Sequence, residues 1–234
     1  MKVSGRPIAA LAALDLDYFA ALDADVLCIE SSPILDDMGE AAEHTMPIRE
    51  FIRELRRGSK LYLKYDDCPD STAFKLLLPE LGALVQRELH EHLRSQNQLP
   101  VRLMADERCV FTWTLWVGGR HTETAMHCDD DDFHFLYVIH GRKRVVLLPA
   151  VCQFPCRWVH GSCWPGIDIL NGPLPPQATE VTLGAGEGII ISPYCWHAVR
   201  NLEPCIAVGY AINGEEDGDD DERGRQPRMN VARG

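Results

Sequence analysis

The stretch AMHCDDDDFHF, residues 125–135, holds two histidines and four consecutive aspartates. His127 and Asp129 are two positions apart, so an extended backbone directs both side chains to one face of a strand and Cys128 to the other. An imidazole and a carboxylate on one face supply two ligands for a metal ion. The remaining acids, Asp130 to Asp132, are typical of a solvated turn that helps to admit a cation.

A third ligand should come from a strand that is distant in sequence and adjacent in space. His197 follows an isoleucine run and a proline turn in GEGIIISPYCWHAVRNLE. Two histidines and one carboxylate form a facial triad, which leaves three positions of Fe(II) open for a chelating co-substrate and dioxygen. The tripeptide His-x-Asp is common by chance, so on its own it leaves an exposed-loop interpretation equally open.

The elements that position these residues change character near residue 100. Before it, MPIREFIRELRRG predicts a helix, KLYLKY a strand, and FKLLLPELGALVQRELHEHLRSQ a second helix interrupted near Pro79. After it, short β-rich runs separated by Gly and Pro predict an antiparallel sandwich or barrel. These runs are CVFTWTLWVGG, FHFLYVIHG, KRVVLLPA, TEVTLGAGEGIIISP, HAVRNLE and CIAVGYAING.

The chain of 234 residues is long enough for one well-buried domain. We expect helices and a first strand over 1–100 to buttress a barrel over 101–213, the two forming one structural domain. Residues 214–234, which include EEDGDDDERGRQPR, predict an acidic, disordered tail.

Composition excludes several classes of protein. The formal charge of −12 argues against a nucleic-acid binder. No apolar run approaches the roughly eighteen residues that cross a bilayer, so we expect no membrane partner. Nine cysteines without a secretory signal favour reduced thiols in the cytoplasm or the nucleus.

Four separated motifs match the sequence pattern of one protein family. Thr124 lies three positions before the first histidine, HGRKR places Lys143 after the next strand, KLYLKY supplies Tyr62, and GEGIIISPYCWH ends at His197. In these motifs the chain resembles the Jumonji C (JmjC) hydroxylases, Fe(II)- and 2-oxoglutarate-dependent oxygenases of the cupin group, and among them the hypoxia-response asparaginyl hydroxylase type. The resemblance covers roughly residues 60–212.

The resemblance implies a fold and a site. The fold is a mainly β, double-stranded β-helix (jelly-roll, cupin/JmjC) barrel with flanking helices. The metal ligands are His127, Asp129 and His197, and the metal is Fe(II). The far carboxylate of the co-substrate 2-oxoglutarate is bound by Lys143, Thr124 and Tyr62.

The chain departs from the family at three positions. His134 stands where many relatives have an asparagine beside the co-substrate, and it either touches the co-substrate or fills the barrel wall. Gly209 and Ala211 replace an asparagine and an aromatic residue on the final strand. We expect these losses to leave the back of the site less crowded.

The resemblance implies a reaction in which 2-oxoglutarate and dioxygen are converted to succinate and carbon dioxide while a substrate is hydroxylated. The substrate expected for a small member of the family is a side chain of a protein or peptide. The alternatives are N-methyl-lysine demethylation and a non-oxygenase metal-binding cupin. Lys143 and Tyr62 argue against the last, because only a dicarboxylate requires them. The sequence indicates no oligomeric state.

The insert CQFPCRWVHGSC offers a second set of metal-ligand types. Cys152, Cys156, His160 and Cys163 could together form a structural zinc site, although their spacing is not a common one and free cysteines also pack as small hydrophobes. The same insert is a natural place for substrate contacts, with Trp158 and Trp164 as anchors or as packing residues of the loop.

Overall fold

The computed structural model describes residues 2–4, 7–30, 43–66, 79–100, 109–152, 154–155, 157–159 and 162–213. The predicted tail at 214–234 lies outside them. The helices of the described residues are α1 (Ala9–Ala12), α2 (Leu16–Ala20), α3 (Ile48–Arg56) and α4 (Pro79–Ser95). Their strands are β1 (Lys2–Ser4), β2 (Asp25–Glu30), β3 (Glu43–Pro47), β4 (Leu61–Asp66), β5 (Val110–Gly118), β6 (Glu123–Asp129), β7 (Phe133–His140), β8 (Arg142–Leu148), β9 (Arg157–Val159), β10 (Ser162–Trp164), β11 (Thr179–Gly184), β12 (Glu187–Ile191), β13 (Trp196–Asn201) and β14 (Cys205–Asn213).

The strands form two antiparallel sheets. The large sheet has the order β1-β12-β7-β14-β5-β4-β2-β3, and the small sheet has the order β11-β8-β13-β6-β10-β9. Apolar side chains from both sheets meet in one buried cluster, which includes Leu136 and Ala207 from the large sheet and Val145 and Val199 from the small one. The sheets therefore face each other as a jelly-roll, which confirms the predicted fold class.

Helices cover the outer face of the large sheet. Helix α3 buries the four apolar residues that its spacing predicted, Ile48, Phe51, Ile52 and Leu55. Helix α4 begins at Pro79, where the sequence predicted an interruption, because proline fits the first turn of a helix and not its interior. Both helices pack into the same cluster as strands β4, β5, β7 and β14. No helix in the described ranges is both long and apolar enough to cross a membrane.

The N-terminal region contains more strand than the sequence predicted. Only β4 was expected there, but β1, β2 and β3 also join the large sheet. Strand β2 alternates buried Val26 and Cys28 with more exposed neighbours, a period-two pattern over six residues that a helical interpretation of this region overlooked. Strand β1 has three residues, too few for any periodicity to show.

The second half of the chain agrees closely with its predicted strands. Each of the six β-rich runs forms a strand, and the run TEVTLGAGEGIIISP forms two, β11 and β12. The insert after β8 was expected as a loop, but its strands β9 and β10 extend the small sheet beside β6. The apolar residues of the insert cover the outer face of that sheet, with Ile169 and Leu170 against Met126.

Candidate metal centre

A cavity of about 500 Å³ opens between the two sheets. The small sheet contributes Thr124, His127 and Lys143 to its wall, and the large sheet contributes Tyr62 and Trp116. The three residues predicted to bind the far carboxylate line this cavity, and so do His134 and all three predicted metal ligands. The strands that carry them lie far apart in the chain, and the pairing of the sheets brings them together.

The predicted triad is assembled by strand parity and register. His127 and Asp129 face the cavity, whereas Cys128 between them packs in the outer cluster of the small sheet. His197 lies directly opposite His127 in the antiparallel register of β13 and β6. The backbone amide of Tyr194 donates to the Asp129 carbonyl at 2.9 Å and so fixes the turn before β13 against the end of β6.

The donor atoms converge on a single point. Asp129 Oδ2 lies 3.7 Å from His127 Nε2 and 3.5 Å from His197 Nε2. Ligands at right angles on a metal with bonds of about 2.1 Å stand roughly 3 Å apart. Each imidazole would therefore approach the carboxylate by less than about 1 Å on binding an ion.

Hydrogen bonds fix which nitrogen of each imidazole can bind a metal. Nδ1 of His127 lies 2.8 Å from the Ala125 carbonyl, and Nδ1 of His197 lies 3.0 Å from the Cys195 carbonyl. Because a carbonyl oxygen only accepts, both Nδ1 atoms carry the proton and both Nε2 atoms present a lone pair to the cavity. The same bonds set the plane of each ring.

Charge in the site also suits a cation. Burial and the neighbouring His127 lower the pKa of His197 to about 3, so this imidazole is neutral at physiological pH. Burial alone would raise the pKa of the Asp129 carboxyl, but His127, His134 and His197 outweigh it and hold that pKa well below its usual value. A neutral nitrogen and an ionised carboxylate are the protonation states that bind a divalent metal. The residues present fit the predicted ion.

Lys143 lies in the wall of the same cavity. Gly141 adopts a φ of +79° in the turn between β7 and β8, a conformation that favours glycine, and this turn starts the strand that carries the lysine. Only 2% of Lys143 is exposed. No ion pair among the described residues includes it, and its ammonium lies 6.0 Å from the centre of the Trp116 ring. Burial lowers the pKa of this ammonium group.

Tyr62 and Thr124 meet across the cavity. The tyrosine comes from the large sheet and the threonine from the small one, and their hydroxyl oxygens lie 3.1 Å apart. Tyr62 is buried, so its hydroxyl faces the interior and not solvent. The two residues therefore form a hydroxyl pair in the wall of the cavity that holds Lys143.

His134 and the acidic run are more closely associated than a solvated turn predicts. Residues 130–132 do form the turn between β6 and β7. Asp131, however, lies 3.2 Å from His134 Nδ1 and accepts a hydrogen bond of 3.0 Å from the Asn213 amide, so it is held rather than free. Burial would lower the pKa of His134, but Asp129 and Asp131 outweigh it and raise that pKa to about 10. Asp129, Asp131 and His134 also form a second group with metal-ligand spacing.

The back of the site is not open, which corrects the expectation drawn from Gly209. A Cβ atom at this position would lie 2.5 Å from the Trp116 ring and 3.4 Å from His134 Nε2. The indole and the imidazole thus occupy the space beside Gly209. Trp116 was not predicted from the sequence, because nothing in its own run distinguishes it from other strand aromatics.

Two of the four zinc-type ligands predicted in the insert, Cys152 and Cys163, lie among the described residues. Cys163 is disulfide-bonded, so its sulfur offers no thiolate, and this finding also departs from the expectation of reduced cysteines. Cys152 is a free thiol. Cys156 and His160 lie outside the described residues, so the zinc prediction is untested there.

The fold and the site place this chain in a family. The model of the cupin-like domain matches residues 36–211, and the chain belongs to that family.

Curated relatives cover different shares of the chain. The HSPB1-associated protein 1 of Rattus norvegicus is 29% identical over 117 residues, which are 44% of this chain and 24% of the relative. The lysine-specific demethylase JMJ31 of Arabidopsis thaliana is 23% identical over 230 residues, 83% of this chain and 41% of the relative. The chain thus spans about a quarter of the first relative and less than half of the second.

The comparison with solved structures gives a partial alignment. The oxalate decarboxylase of Lactobacillus farciminis in complex with formate is 14% identical and aligns with a TM-score of 0.31 over 45% of this chain and 25% of that one. A score this low carries no argument about function.

Proposed function

We propose that this protein is an Fe(II)- and 2-oxoglutarate-dependent dioxygenase of the JmjC type that hydroxylates a side chain of a protein or peptide. One observation carries the proposal. A single cavity holds a triad of two imidazoles and one carboxylate, and in the same cavity a buried lysine has no ion-pair partner among the described residues. A metal-binding group and an unpaired cation in one cavity suit a ligand that chelates through one end and carries a carboxylate at the other.

The register of the small sheet determines how far Lys143 lies from the metal site and so how long the ligand must be. Lys143 pairs with Asn201, four residues after His197 on β13. Four strand residues span roughly 13 Å, and the long lysine side chain covers part of that distance. A five-carbon keto diacid suits the remaining gap better than a small anion such as formate or acetate.

Each residue has a distinct task in this proposal. Lys143 binds the far carboxylate of 2-oxoglutarate, and the hydroxyl groups of Tyr62 and Thr124 donate to the same carboxylate. His127, Asp129 and His197 would hold Fe(II), which when bound supplies the oxidising chemistry and the open positions for the keto acid and dioxygen. Trp116 closes the cavity behind the lysine and excludes water from the ion pair that forms there.

The reaction balances with one co-substrate. A substrate C–H group, dioxygen and 2-oxoglutarate give the hydroxylated product, succinate and carbon dioxide; one oxygen atom enters the product and the other enters succinate. The hypoxia-response asparaginyl hydroxylases are the type that the sequence motifs match, which supports a side chain as the target.

N-methyl-lysine demethylation is a second candidate. It uses the same oxidation, since hydroxylation of an N-methyl group releases formaldehyde. Its support is the similarity to a relative named as a lysine-specific demethylase over 83% of this chain.

The test measures turnover and binding in the same protein. With ascorbate as the reductant that replaces the substrate, protein loaded with Fe(II) is expected to convert 2-oxoglutarate to succinate slowly, with ¹⁸O from dioxygen in the succinate. His127→Ala abolishes this turnover, and His140→Ala, a change at the far end of β7, retains it.

Calorimetry with Mn(II) in place of Fe(II) is expected to show 2-oxoglutarate binding that requires both the metal and Lys143. Metal-independent binding, or succinate release that survives His127→Ala, would contradict the proposal. Peptide libraries analysed by mass spectrometry separate a gain of 16 Da from a loss of 14 Da, and thereby hydroxylation from demethylation.

A further inference from the structure

Strand β10 lies beside the strand that carries two of the three predicted ligands. It pairs antiparallel with β6, and Ser162 is directly opposite Asp129 while Cys163 is opposite Cys128. Residues that oppose each other in an antiparallel pair point to the same face. Ser162 accordingly lines the cavity with Asp129, and Cys163 packs with Cys128 in the outer cluster.

The serine distinguishes the two oxygens of the ligand carboxylate. Ser162 Oγ donates to Asp129 Oδ1 at 2.5 Å. The other oxygen, Oδ2, is the atom that lies 3.7 Å from His127 Nε2 and 3.5 Å from His197 Nε2. Oδ1 thus accepts from the hydroxyl group, and Oδ2, which also lies 3.5 Å from His134 Nδ1, is the oxygen that faces the two imidazoles.

One-oxygen binding matters for the number of open positions. A carboxylate that binds through both oxygens occupies two coordination positions, which leaves an octahedral ion with two histidines only two open sites. The proposed chemistry needs three, two for the keto acid and one for dioxygen. A hydrogen bond that holds Oδ1 away from the ion keeps the third position open.

The next inward-facing residue of β10 acts on a second ligand. The Trp164 ring stacks on the His127 ring with a centroid separation of 4.3 Å and an interplanar angle of 12°. The bond from Nδ1 to the Ala125 carbonyl holds one edge of that imidazole, and the indole holds its face. Together they leave the ring one orientation, with Nε2 directed at the metal position.

We propose that Ser162 and Trp164 are positioning residues that preset Asp129 as a one-oxygen ligand and fix the plane of His127 before the metal binds. The inference rests on the metal site of the proposed function. Neither residue touches the metal, and both act through a ligand that does. Partners of this kind typically change metal affinity by 10- to 100-fold.

The test for Ser162 compares the removal of its hydroxyl with its retention. Ser162→Ala is expected to weaken Co(II) binding by about 10-fold and to change the visible absorption of the Co(II) protein, because Asp129 can then bind through both oxygens. Ser162→Thr keeps the hydroxyl on a strand residue and is expected to restore both properties. Ser95→Ala, at the end of α4, is the matched surface control. Thermal unfolding of each metal-free protein shows that the variants fold.

The test for Trp164 uses aromatic rescue. Trp164→Leu is expected to weaken Co(II) binding by about 10-fold, and Trp164→Phe, which retains a stacking ring, is expected to recover most of the loss. Wild-type affinity and spectrum in both Ser162→Ala and Trp164→Leu would overturn the inference.

Failure of the proposed function has a separate signature. Co(II) binding that survives His127→Ala would show that the ion does not use the triad. Co(II) binding that is lost in His127→Ala but unchanged in Ser162→Ala and Trp164→Leu would leave the triad standing and reject only the positioning roles.

Discussion

Lys143 provides the sharpest test, because its proposed role and its effect on stability have opposite signs. Its side chain is 2% exposed, and it has no ion-pair partner among the described residues. A buried charge left without its partner costs about 3–5 kcal/mol. The Trp116 ring, 6.0 Å from the ammonium, returns about 1–2 kcal/mol through a cation–π interaction.

The substitution Lys143→Met keeps the length of the side chain and removes the charge. From these two contributions we expect the metal-free variant to be more stable than the wild type by about 1–4 kcal/mol. For a protein of this size that difference raises Tm by roughly 2–16 °C. Lys60→Met removes an exposed lysine instead and should leave stability within about 0.5 kcal/mol.

The pH dependence follows from the direction of the pKa shift. Burial lowers the pKa of Lys143 in the folded state, whereas the unfolded chain titrates near pH 10.4. Between these two pKa values the unfolded chain binds more protons, so the contribution of this lysine to stability becomes less unfavourable as pH rises. The Tm advantage of Lys143→Met should therefore be largest at neutral pH and shrink toward pH 10.

Mn(II) and 2-oxoglutarate should reverse the order of the two proteins. A ligand present at 1,000 times its Kd stabilises the folded state by about 4.1 kcal/mol, which offsets the advantage of the metal-free variant, and only the wild type carries the cation that binds the far carboxylate. Differential scanning fluorimetry with and without the ligands measures all four values of Tm. A metal-free variant less stable than the wild type, or an equal shift of both proteins with 2-oxoglutarate, would refute this account of Lys143.

Three further changes test other parts of the site. Mn(II) should raise Tm and a chelator should reverse the rise, and both effects should vanish in His127→Ala; a rise that persists there would place the ion elsewhere. Gly209→Ala forces a Cβ atom against the Trp116 ring and should destabilise the protein by about 1–3 kcal/mol. The destabilisation should be smaller in a Trp116→Phe background. Equal losses of unfolding free energy in denaturant titrations of both backgrounds would exclude that contact. His134→Asn removes the cationic partner of Asp131 and should lower the free energy of unfolding by about 1–3 kcal/mol. Adding Asp131→Asn should recover part of this loss. If the effects of the two substitutions on the free energy of unfolding are strictly additive, the two side chains do not interact.

The sequence was sufficient to predict those structural features that depend on residues close together in the chain. Alternation along one strand placed His127 and Asp129 on one face, and the structure has them there with Cys128 on the other. Helical spacing gave the buried face of α3. Turn residues and apolar runs predicted the strands of the second half of the chain, because both signals depend only on residues that are neighbours in the sequence.

The remaining features depend on pairings between distant segments. Trp116 fills the space at Gly209 because β5 and β14 are adjacent, and neither run of sequence contains that information. Ser162 faces Asp129 through the register of β10 and β6, which is set by an insert that resembles a loop. Asp131 belonged to a run of four identical acids, and only its contacts with His134 and Asn213 separate it from its neighbours.

Two charged groups in the lining of the cavity, the Lys143 ammonium and the Asp129 carboxylate, set its preference for ligands. Lys143 is buried without an ion-pair partner among the described residues, and Asp129 gathers three imidazoles around one carboxylate, although burial disfavours its charge. The buried Lys143 costs the empty protein stability until an anion pairs with it. The Asp129 carboxylate is stabilised in its charged form by the imidazoles and attracts a cation. Metal and keto acid should therefore stabilise this fold jointly, because the first ligand supplies the anchor that lets the second reach Lys143. The thermal shift with both ligands should exceed the sum of their separate shifts, and in Lys143→Met that excess should disappear.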